Sequence, residues 1–155
     1  MTKFTVTRHV PFTVDQVFAI ASDVANYRAF LPLVHKSTIH DVRNLTDGRT
    51  GFVSELLIAY KKLGISETLR SQVVVDANTR TVLASSSEGP VKSLTSEWKI
   101  MPASQGGADI HFTVDYTLKS RSLQFLLSGM FDLMVRRILS AFEERARKLY
   151  AGVSA

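Results

Sequence analysis

Apolar side chains fall at alternate places along residues 3–10: Phe4, Val6 and Val10 face one way, Thr5, Thr7 and His9 the other, which predicts a half-buried strand. At residue 12 the period lengthens to that of a helix. Thr13 and Gln16 form a capping-box pair, Phe12 and Val17 occupy hydrophobic-staple positions, and Asp15 suits the first turn. The helix so started turns Val14, Val17, Phe18 and Ala21 inward. It is expected to end near Ser22 and to restart at Asp23 as a short turn with Val24, Tyr27 and Leu31 on one face. Pro32 stops that turn, because proline lacks an amide proton and disfavours helical geometry in the residue before it. Phe30 and Leu31 are thereby held at a fixed rim, and something must cover them.

Period-2 text then fills residues 33–43, 50–60, 63–75, 79–87, 92–101 and 108–119, broken at TDGRT, YKKLG, DANTR, SEGPV and SQGGA. Asp47-Gly48 signals a tight hairpin, since glycine accepts positive φ. Successive hairpins imply an antiparallel meander. In the last two strands Leu94, Trp98 and Ile100 share a face, as do Ile110, Phe112, Val114, Tyr116 and Leu118. Asp109, His111, Thr113, Asp115 and Thr117 take the opposite, wet face. Residues 121–150 return to helical spacing, with Leu123, Leu127, Met130, Phe131, Met134, Ile138, Phe142 and Leu149 on one side. Arg136, Arg137, Glu144, Arg147 and Lys148 lie off that stripe, and Gly152 can stop the helix. Only this helix is long enough to lie across a twisted sheet that must bury one face. The predicted fold is α+β: a curved antiparallel sheet of six to seven strands around a long C-terminal helix, with two short helices after strand 1, in a single domain over residues 1–155.

A chain of 155 residues can bury one good core without disulfides or a structural metal. With no cysteine, thiol catalysis and thiolate metal sites are excluded, and a reducing compartment, the cytoplasm, is the default expectation. No apolar run reaches the length of a membrane span, and the N-terminus reads as a strand, so a complete, soluble chain is expected. A net charge of +5 favours acidic partners such as phospholipid head groups or RNA, with a merely well-solvated surface as the alternative. Lys61, Lys62, Arg136 and Arg137 are the cations placed to make such contacts.

Five words in order carry a resemblance: Tyr27 with Phe30-Leu31-Pro32; Glu67 and Ser71 in ETLRSQV; Trp98 in SEWKI, followed by Pro102; Val114-Asp115-Tyr116; and the terminal AFEERARKLY. The chain resembles the START-like, helix-grip superfamily, and within it the coenzyme Q-binding and ribosome-association toxin family of polyketide cyclase/dehydrase-like proteins. It departs from the family at Leu33-Val34-His35, where a more aromatic or sulfur-containing stretch is usual, and before Gly129. The resemblance implies a deep apolar cavity between sheet and long helix, roofed partly by the FLP loop. It implies non-catalytic binding of a lipid-like molecule, ubiquinone foremost, carried or presented for respiratory electron transfer, with no cofactor beyond that ligand. The protein would then work at the cytoplasmic face of a bacterial inner membrane. Toxin-like members of the family instead bind the large ribosomal subunit and hinder translation. DNA is not an implied partner.

Each buried isoprene unit would contribute roughly 3–4 kcal/mol at about 0.8 kcal/mol per methylene. Trp98, Phe112 and Phe125 with Met101, Met130, Phe131 and Met134 are candidate walls, together with Leu69, because methionine adapts its shape cheaply. A filled core is the alternative use of the same stripe. On the 63–75 strand Glu67 shares parity with Leu63, Ile65, Leu69, Val73 and Val75, so its carboxylate is expected to point inward, neutral or paired. There it would meet a quinone head group, or pair with an Arg or Lys for structural reasons. Tyr27 and Tyr116 offer hydroxyls to a carbonyl, although core tyrosines usually bond to nearby backbone. Gly129 suggests a hinge lifting residues 121–128, with close helix–sheet packing as the alternative. His9, His35, His40 and His111 are scattered, with no metal, nucleophile-elbow or phosphate-loop motif, so an enzyme is not expected. Cyclases among START-like proteins use a pocket acid, and Glu67 is the residue that would fill that role.

Overall fold

A computed structural model describes residues 2–60, 62, 64–119, 124 and 131–150 of the protein. Strand β1 (Thr2–Val10) leads into helix α1 (Val14–Ser22) and a 3-10 helix (Val24–Ala29). Six strands follow: β2 (Val34–Asn44), β3 (Arg49–Tyr60), β4 (Ile65–Asp76), β5 (Thr81–Ser86), β6 (Val91–Pro102) and β7 (Ala108–Leu118). Helix α2 (Phe131–Tyr150) is the last of these elements. The order and nearly all strand limits match the hydrophobic pattern to within one or two residues. Residues 121–130, apart from helical Gln124, lie outside the described residues, and the expected hinge at Gly129 lies there too.

Local chemistry sets the connections. Thr13 and Gln16 close the capping box, with the Gln16 amide donating to Thr13 Oγ1 at 3.1 Å and the Thr13 amide to Gln16 Oε1 at 3.0 Å. Asp47 and Gly48 both take positive φ, 61° and 75°, the backbone a tight hairpin needs. All seven strands form one antiparallel sheet in the order β1-β7-β6-β5-β4-β3-β2. Consecutive hairpins build β2 to β7, and β1 returns to pair with β7 along its whole length, from Thr2 opposite Tyr116 to Val10 opposite Ala108. Of the two edge strands, β2 is bulged between His40 and Arg43, where Asp41 adopts φ 55°, and most of its side chains are exposed.

The inward face of the sheet holds Phe52, Val73, Val82, Trp98, Ile100, Ile110, Phe112, Val114 and Tyr116, all buried. Helix α2 lays Val135, Leu139, Phe142 and Ala146 against it. The Trp98 ring stacks between Phe112 and Phe142, with both centroid separations 4.3 Å. One ion pair crosses this apolar layer. Arg8 occupies an inward position on β1, and its Nε lies 2.9 Å from Glu143 Oε1, while its Nη1 donates to Ser140 Oγ at 3.2 Å. Arg147 pairs with the other Glu143 oxygen, so this buried carboxylate is fully matched.

Candidate functional site

The strand registers place side chains on the inward face in rows. Val82 lies opposite Trp98, Trp98 opposite Phe112, and Phe112 opposite Val6, an apolar row across the end nearest α1. The next row runs Phe52, Val73, Ala84, Ser96, Val114, Phe4. Beyond it Ser54 on β3 pairs with Ser71 on β4, and Ser86 on β5 follows the Gln72–Ser85 pair, opposite Leu94, which in turn faces Tyr116. Leu56 and Leu69 form the row after that. Among the described residues of β3 to β7, the inward positions carry one carboxylate, Glu67, and no His, Lys or Arg.

The rim is built as its proline requires. The 3-10 helix ends with the Phe30 and Leu31 amides both donating to the Tyr27 carbonyl, at 3.2 and 2.9 Å. Pro32 is exposed, and Leu33 takes φ 70°, a strained conformation for a leucine, while its carbonyl accepts from the Ala59 amide at 3.0 Å. Ser37 pins the 3-10 helix to β2, donating to the Ala25 carbonyl at 2.7 Å and accepting from the Arg28 amide at 3.1 Å. The Phe30 ring meets Phe142 edge-on at 5.2 Å and Tyr27 at 6.0 Å, and the Arg145 guanidinium sits 5.4 Å from its centroid. Beside this stack a groove of about 340 Å³ opens between Ala29-Phe30 and Ser140, Ala141, Glu144, Arg145 and Lys148 of α2.

Several expected site residues do lie on the inward face, Trp98, Phe112 and Tyr116 buried and Leu69 half-buried, with Phe30 and Leu31 at the rim; Met134 is half-buried on α2. Others do not. Glu67 keeps the inward parity, yet its side chain is exposed, so the expected buried carboxylate is corrected: opposite Ile58, two residues into β4, it stands at the open end of the sheet. Met101 is also corrected; it follows inward Ile100 and therefore projects from the outer face, 41% exposed. Tyr27 is buried, and its hydroxyl donates to the Ala21 carbonyl, which takes it out of ligand reach. Burial, with Asp23 nearby, raises its pKa well above the ordinary phenol value. Phe125, Met130, the Phe131 side chain and Lys61 lie outside the described residues. Lys62, Arg136 and Arg137 are exposed.

Sequence reasoning passed over Arg8, Ser54 and Ser86, and named Ser71 only as part of the family resemblance. Arg8 shares the parity of Phe4, Val6 and Val10, the one signal that could have found it; the alignment of Ser54, Ser71 and Ser86 depends on register between strands. No group of three or more His, Asp or Glu side chains that could hold a metal occurs among the described residues.

Residues 10–143 match the family described as "Polyketide cyclase / dehydrase and lipid transport". The chain belongs to that family. It is 27% identical over 142 residues to the ribosome association toxin RatA of Escherichia coli K12, covering 92% of this chain and 85% of the relative. It is 27% identical over 143 residues to the mitochondrial coenzyme Q-binding protein coq10 of Schizosaccharomyces pombe, covering 90% of this chain and 84% of the relative. Among solved structures, a START superfamily protein from Mycobacterium smegmatis superposes with a TM-score of 0.78 at 16% identity, covering 95% of this chain and 98% of the other. The helix-grip arrangement of this family member is therefore the START fold, a curved seven-stranded sheet closed by its C-terminal helix. No helix among its described residues is long and apolar enough to cross a membrane.

Proposed function

We propose that this family member binds a long-tailed quinone, ubiquinone foremost, between the inward face of the sheet and the C-terminal helical segment, and carries it without converting it. The observation that carries the reading is the inward face itself. From β3 to β7 its described positions are apolar or hydroxyl-bearing, and the one acid among them, Glu67, is turned out to solvent. A surface of that kind suits a prenyl tail, each unit of which contributes roughly 3–4 kcal/mol on burial. Among its described positions it also buries no carboxylate or imidazole of the kind a cyclase would use for proton transfer. The name of the fission-yeast relative supports the same ligand class. The work would be done at the cytoplasmic face of the inner membrane, where the exposed cations of α2 can meet anionic head groups.

The test is organic extraction of the purified protein followed by mass spectrometry. A stoichiometric quinone is the expected result, and a clean extract after expression in quinone-replete cells overturns the reading. A second reading, association with the large ribosomal subunit, draws on the RatA relative and on Arg136, Arg137 and Lys148, all exposed on α2. Co-sedimentation with large subunits, lost at high salt and unaccompanied by quinone, would favour it.

A further inference from the structure

The inward face contains one polar line that packing does not explain. Ser54, Ser71 and Ser86 sit side by side on three neighbouring strands, flanked by the Phe52-Val73-Ala84 row on one side and by Leu56 and Leu69 on the other. Ser54 is 2% exposed and Ser71 5%. The Ser86 Oγ is sealed from solvent and has no hydrogen-bond partner among the described residues. Buried hydroxyls are almost always partnered, and one left without a partner costs stability unless something else supplies the bond. An alanine or valine at these places would fill the same sheet position without that cost.

From this, and resting on the quinone-carrier reading above, we infer that the serine line is the head-group subsite and that it selects an uncharged head bearing hydrogen-bond acceptors. A serine hydroxyl donates readily to a carbonyl or ether oxygen. Neighbouring strands are about 4.8 Å apart, so adjacent hydroxyls in the line can address separate oxygens of one ring. The line includes no cation. A carboxylate or phosphate brought there would lose its hydration without a counter-charge, since Arg8 is already matched to Glu143 and lies several rows away. Fatty acids and phospholipids are thus disfavoured by the same residues that favour a quinone.

The test is equilibrium dialysis of the full chain against decyl-tailed compounds that differ only in the head: a ubiquinone ring, a carboxylate, a phosphate, and the bare alkane. The wild-type protein is expected to prefer the ubiquinone ring over either anion by at least tenfold. Ser71→Ala with Ser86→Ala is expected to weaken the quinone compound about tenfold while leaving the alkane unchanged. The alkane and the melting curve report whether the variant still folds and still offers its apolar walls. Quinone binding that is equal in wild type and variant overturns the head-group assignment and leaves the carrier reading standing, as does an anionic head that binds as tightly as the quinone. Failure of the quinone compound to bind the wild type overturns both.

Discussion

Arg8 on the edge strand β1 holds Glu143 on α2 at 2.9 Å, the charged tie between the first strand and the last helix. Removing Glu143 strands the half-buried Arg8 guanidinium, and removing Arg8 leaves the buried Glu143 carboxylate with Arg147 alone. Glu143→Gln and Arg8→Ala are each expected to cost about 2 kcal/mol in urea unfolding, discounted from the fully buried case because Arg8 is partly exposed. The double replacement Arg8→Met with Glu143→Leu should recover most of that loss, and a sum of the two single losses would instead show the pair to be uncoupled.

Phe30 and Leu31 share the rim but not the same packing. Phe30 is wedged between Tyr27 and Phe142 with Arg145 over its face, so Phe30→Ala is expected to cost about 2–3 kcal/mol of stability. For Leu31→Ala, ligand retention in dialysis should fall more than the melting temperature does. Equal and small melting shifts for both would place neither in the core.

Alkaline stability should depend on Tyr27. Its buried phenol keeps the proton to higher pH than the unfolded chain, where tyrosine titrates near 10. Folding stability from this group is therefore complete below pH 10 and declines above it, as the unfolded state releases its proton first. Tyr27→Phe is expected to lower stability at pH 7 by about 1 kcal/mol through the lost bond to Ala21 and to flatten the decline above pH 10. Denaturant midpoints from pH 8 to 11 provide the measurement.

Glu67→Gln separates carrier from enzyme. Because the side chain is exposed, the change should move stability by less than about 0.5 kcal/mol and leave quinone binding unaltered. Loss of turnover of a polyketide substrate in this variant would restore the cyclase reading.

Alternation made the sheet legible. Ala108 to Tyr116 are buried at every second place, as their sequence spacing says, and the Thr13 and Gln16 pair marks the first helix to the residue. What alternation specifies is the face of a side chain, not its depth along the strand. Glu67 was therefore placed on the right face but given the wrong surroundings, since burial at a strand end depends on what lies over it. Met101 was read from residue type against its own parity, and parity prevailed. Ser54, Ser71 and Ser86 are more than a dozen residues apart in the chain, and only the pairing of β3, β4 and β5 brings them into line. Tyr27, expected among the ligand contacts, takes the backbone alternative instead, its hydroxyl donating to the Ala21 carbonyl, and the charge match between Arg8 and Glu143 spans nearly the whole chain and leaves no local trace.

The bulge at His40–Arg43 bears on how copies of the protein behave together. β2 ends the sheet with an open row of backbone donors and acceptors, and Ile39, Val42 and Leu45 stand exposed along and just beyond it. A straight strand of that kind would let one molecule zip onto the next. Asp41, turned to φ 55° in the middle of the strand, breaks the ladder and puts a carboxylate in the way, so the edge discourages ribbon growth between copies.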